Sequence, residues 1–126
     1  MVIHKDFPDF VLFLYVYMAY ADGVFHPSEK EAIMGKMSKL FPHEQDPKSK
    51  ILAAEKEYLE FDSSMINDLI HDTFKYFSHV KFNQKYKIYT DMYDIINADG
   101  KVDHAETMAL SALKKIIDLG AAEHAA

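Results

Sequence analysis

The sequence predicts an all-α fold: one compact helical domain over residues 1–126, built from about six helices. Three observations carry this reading. Apolar residues recur at spacings of three and four along most of the chain. Glycine and proline number only four each, and β-branched runs are few. A helix, an Ala-Asp-Gly turn and a second helix are written twice, as "YADGVFHPSE" (20–29) and "NADGKVDHAE" (97–106). With 49% apolar residues the chain has the material for a core, and 126 residues build one core rather than two.

The first helix is read from about Pro8 to Asp22, with proline in the first turn, where its missing N–H does no harm. Gly23 is the expected stop. The second runs from about Pro27 to Leu40, with Ile33, Met37 and Leu40 inward. "FPHEQDP" (41–47) is a connection. Asp46-Pro47 opens a third helix carrying Ile51, Leu52, Tyr58 and Leu59. A cap among Asp62, Ser63 and Ser64 opens a fourth, whose apolar set is Ile66, Leu69, Ile70, Thr73, Phe74 and Phe77. The fifth is assigned a stripe of Phe82, Tyr86, Tyr89, Met92, Tyr93 and Ile96. The sixth starts near His104 with Leu110, Leu113, Ile116 and Ile117, and Gly120 ends it. "FVLFLYVYMAYA" (10–21) ends like a signal-peptide cleavage site, but Asp6, Pro8 and Asp9 stand where a basic leader belongs. The run is also too short to span a bilayer, so it reads as a buried central helix and no integral membrane segment is expected.

An offset of 77 residues aligns the two written phrases. It pairs Ala21, Asp22 and Gly23 with Ala98, Asp99 and Gly100, and Glu29 with Glu106. It also pairs Met18 with Ile95 and Ile33 with Leu110. The chain therefore reads as two related helix–turn–helix hairpins joined by two middle helices. The two copies, "ADGVFHPSE" (21–29) and "ADGKVDHAE" (98–106), resemble the paired hairpins of TerB-like proteins, the helical module linked to bacterial tellurite resistance. That resemblance spans most of the chain, helices one to six, and it is carried by the two hairpins and not by the middle, "FPHEQDPKSKILAAEKEYLEFDSS". It implies a role in stress or metalloid response with a connection to divalent cations.

The aspartates of the two turns pose a physical question, because a carboxylate in the last turn of a helix opposes the dipole at a cost of about 0.3–1 kcal/mol. One answer is structural. Asp22 and Asp99 can close Asx-turns, Asp103 with Glu106 forms a capping box, and Glu29 does a similar job after His26-Pro27. An EF-hand is a poor answer. Its first and third ligand positions would fall on Ile95 and Asn97 in one copy and on Met18 and Tyr20 in the other. A further answer is a divalent-cation site drawing on Asp22, Glu29, Asp99, Asp103 and Glu106, since hard cations want clustered carboxylates.

The remaining composition narrows the function classes. Net charge is −6 and all 14 basic residues are lysine, which argues against a nucleic-acid partner. There is no cysteine, so thiolate chemistry and disulfides are excluded. None of the seven histidines belongs to an H-E-x-x-H pair, although His26 and His104 sit beside the motif acids. No serine sits in a nucleophile elbow, and no catalytic constellation emerges. Tyr15, Tyr17 and Tyr20 cannot all face inward with Phe10, Phe13 and Leu14, so the aromatic face of helix one is a candidate protein interface, homodimerisation included. The expectation is a non-enzymatic, cytoplasmic module; the alternative is a scaffold whose turns only shape the fold.

Overall fold

The helix that the sequence makes apolar on every side becomes the axis of the molecule. In the computed structural model, which describes residues 6–20, 25–77 and 82–98 together with positions 107, 108, 110, 111 and 114, α1 (Phe7–Ala19) packs against three other helices. Phe10 through Val16, Met18 and Ala19 are all buried. Asp6 is extended, its carbonyl accepts the Phe10 N–H at 3.1 Å, and Pro8 lies in the first turn. With 13 residues α1 is about 20 Å long. Among the described residues no helix is long and apolar enough to cross a membrane.

Four further helices follow: α2 (Pro27–Leu40), α3 (Pro47–Glu60), α4 (Ser63–Tyr76) and α5 (Phe82–Ile96). No strand occurs among the described residues, so the class is all-α. Positions 107, 108, 110, 111 and 114, in the expected sixth helix, are helical, and Leu110 is buried in the core. The rest of that helix lies outside the described residues.

Caps fix the starts. The Asp46 carboxylate accepts from Ser49 N at 3.2 Å and from Ser49 Oγ at 2.7 Å, with Pro47 beginning α3. These hydrogen bonds, the hydroxyl's first, hold the Asp46 carboxyl below its usual range. Asp62 opens α4 by accepting from Ser64 N at 3.1 Å. Aromatic rings lock the middle helices to α1: Phe77 stacks on Phe10 at 5.7 Å, and Phe61 meets Phe13 edge-on at 6.2 Å.

The duplication is visible in helix ends and in burial. α1 stops at Ala19 and α5 at Ile96, 77 residues apart. The closing bonds correspond as well: Tyr20 N to Val16 O at 3.0 Å, and Asn97 N to Tyr93 O at 3.2 Å. The buried row Val11, Tyr15, Met18, Ala19 on α1 returns at the same offset as Ile88, Met92, Ile95, Ile96 on α5, and Ile33 returns as Leu110.

Three expectations are corrected. α1 ends at Ala19 and not at Asp22. On α3 the inward row is Ile51, Ala54, Tyr58 and Phe61, a helical face that leaves Leu52 and Leu59 each 61% exposed. On α5 the same rotation leaves Tyr86 and Tyr93 exposed, with Ile88 and Ile95 buried in their place.

Candidate functional site

Tyr20 and Phe25, the residues on either side of the first acidic turn, meet edge-on with ring centroids 5.4 Å apart. Their contact brings the C-terminal end of α1 to the start of α2. Tyr20 also stacks on Tyr58 of α3, at 5.2 Å and 19°. Its hydroxyl donates to Glu55 Oε1 at 2.6 Å. Burial, and then this carboxylate, push the Tyr20 hydroxyl up to about 12. Lys30 on the first turn of α2 faces Glu55 Oε2 at 3.9 Å and sits 5.1 Å over the Phe25 ring.

Glu29, the glutamate of the first motif, is wholly buried. Its Oε1 accepts the His26 backbone N–H at 3.1 Å, the backward reach of a capping-box glutamate. The His26 carbonyl in turn accepts from Glu29 N and Lys30 N, which starts α2. Asp22, Asp99, Asp103 and Glu106, the other four candidate ligands, and His104 lie outside the described residues. Among the described residues no group of three or more His, Asp or Glu is placed to hold a metal ion. Glu55 carried no motif signal, since its contact with Tyr20 spans 35 residues of sequence.

The aromatic side of α1, expected to offer a dimer face, is taken up inside the chain. Tyr15 is buried, and Tyr17 and Tyr20 are half-buried against Tyr58. A helix that is apolar all round is here central, not docked.

A second feature lies on the opposite flank. α2 and α5 pack on one another and on α1, leaving a groove of about 580 Å³. Val11, Tyr15, Ala32 and Ile88 line its apolar part. At its polar edge Tyr15 Oη donates to Asp91 Oδ2 at 3.0 Å, and Lys36 Nζ bonds Asp91 Oδ1 at 3.1 Å and Asp94 Oδ2 at 3.4 Å. Burial and the Asp91 carboxylate raise the Tyr15 hydroxyl far above its usual range. His71 Nδ1 and Asp72 Oδ1, neighbours on α4, lie 3.9 Å apart with both side chains partly exposed.

The family model for the tellurite resistance protein TerB matches residues 9–126, nearly the whole chain. The chain belongs to the TerB family. Comparison with curated proteins and with solved structures finds no match. Family membership agrees with the all-α fold of this TerB domain.

Proposed function

We propose that this TerB-family chain is a non-enzymatic, cytoplasmic helical module of the tellurite and stress response, and that its two acidic turns bind a divalent cation. Family membership supports the pathway. The observation that carries the cation reading is the burial of Glu29 beside the first turn. A buried carboxylate next in sequence to an acidic turn adds negative charge where a hard cation would find oxygen ligands. The cation would draw on Glu29 and on Asp22 from one copy of the motif, and on Asp99, Asp103 and Glu106 from the other.

The test is a thermal melt in EDTA, followed by melts in excess calcium, magnesium, manganese or zinc. An ion that binds only the folded chain stabilises it by about 2.7 kcal/mol at a hundredfold excess over its dissociation constant. Asp22→Asn combined with Asp99→Asn should abolish the shift. No shift with any of the four ions would overturn the reading.

One observation favours a second reading, in which the turns are purely structural. The Glu29 Oε1 bond to His26 N is a complete reason for a glutamate at that position. On that reading Glu29→Gln, which keeps an acceptor oxygen, leaves the melt unchanged in every buffer.

A further inference from the structure

We propose that the groove between α2 and α5 is a binding site for a slender anionic amphiphile: an apolar chain with a single acidic head, of the fatty-acid class.

The first ground is Gly35. It lies inside α2, where glycine costs a helix about 0.5–1 kcal/mol relative to alanine. No described residue requires it, since a Cβ built there meets no described atom within 4 Å. The residue lines the groove. At Gly35 the groove wall therefore carries no side chain, and the space beside it is open.

The second ground is size. About 580 Å³ falls within the range of small-molecule sites, roughly 300–1,000 Å³. A partner helix is a poor occupant. α2 and α5 pack directly on one another, which leaves no room for a third helix, roughly 10 Å across, between them. An extended alkyl chain can lie along Val11, Ala32 and Ile88.

The third ground is charge. Three lysines line the groove in a chain whose net charge is −6. Lys36 is neutralised by Asp91 and Asp94. Lys39 and Lys87 are exposed and form no ion pair among the described residues. Lys39 lies one turn beyond Lys36 on α2, and Lys87 one turn before Asp91 on α5. They supply the charge for an acidic head, and the Tyr15–Asp91–Lys36 set closes the polar edge without needing the ligand.

Dodecanoate, kept below its micellar concentration, is the probe, and titration calorimetry on the full chain is the measurement. Saturable binding is expected. Gly35→Leu should abolish it while melting no lower than the parent, because leucine fills the groove and favours the helix. Lys39→Glu with Lys87→Glu should weaken binding about tenfold or more, the scale of one lost charge-assisted contact. The proposal falls if dodecanoate does not saturate, if binding survives Gly35→Leu in a folded variant, or if dodecyltrimethylammonium binds as tightly. It also falls if sedimentation shows a dimer that Gly35→Leu dissolves, since a second copy would then own the groove.

Discussion

Tyr15 on α1 and Asp91 on α5 are joined by a 3.0 Å hydrogen bond between helices 76 residues apart in sequence. The other oxygen of the same carboxylate holds Lys36 of α2 at 3.1 Å. One aspartate therefore ties three helices together at the edge of the groove. Tyr15→Phe removes one hydrogen bond from a carboxylate that keeps its lysine, and should cost about 0.5–1.5 kcal/mol in urea unfolding. Asp91→Ala should cost more, because it strands the buried Tyr15 hydroxyl and leaves Lys36 with only the exposed Asp94. A double-mutant cycle over both positions should give a coupling of like sign.

Alkali should unfold the chain through its tyrosines. Tyr15, Tyr17, Tyr20 and Tyr58 are all raised above the ordinary 10.0, with burial the first cause in each. Below that value folded and unfolded chains both hold the phenolic protons, so these groups add no pH dependence. Above it the unfolded chain releases protons that the folded chain retains, and stability falls as pH climbs through 10 toward 12. Melting temperature should be flat in this respect up to about pH 9 and drop beyond 10. Tyr20→Phe should make the drop shallower. Phenolate absorbance should lag behind that of a denatured sample over the same interval.

Gly35→Ala should stabilise the protein by about 0.5–1 kcal/mol, since the new methyl meets open space and the helix gains a better former. Thermal unfolding checks this, and a fall in stability would show that the space at Gly35 is not free.

Much of this fold was legible in the residues themselves. His26-Pro27, Asp46-Pro47 and the Asp62-Ser63-Ser64 run, of which Asp62 is the cap, marked helix starts because their chemistry is local: a side-chain oxygen, an extended backbone or a missing N–H decides each one. α2 begins at Pro27 and ends at Leu40 as read. The inward face of α5 was misread because Tyr86 and Tyr93 also fit helical spacing, and hydrophobicity alone does not choose between two apolar rows. The 77-residue offset held the answer, since Val11, Tyr15, Met18 and Ala19 project onto Ile88, Met92, Ile95 and Ile96. Leu52 and Leu59 were misplaced for the same reason, and no repeat partner corrects them. Of the candidate site, Glu29 was legible from its motif. Glu55, the Tyr15–Asp91 tie and the groove were not, because each depends on helices distant in sequence coming together.

Equivalent core positions should carry equivalent weight. Met18 and Ile95 are both fully buried and correspond across the repeat. Met18→Ala and Ile95→Ala should each cost about 2–5 kcal/mol in chemical denaturation. A negligible loss at either position would break the correspondence.

The central claim is that two copies of one helix–turn–helix unit place Ala-Asp-Gly at equivalent points. Backbone carbon chemical shifts in solution, read across residues 16–30 and 93–107, test it most directly. The account predicts two profiles that coincide at the 77-residue offset, with helical values ending together after Ala19 and Ile96 and resuming together past the turns. Helical values running unbroken through either Ala-Asp-Gly phrase, or breaks that align only at another offset, would contradict it.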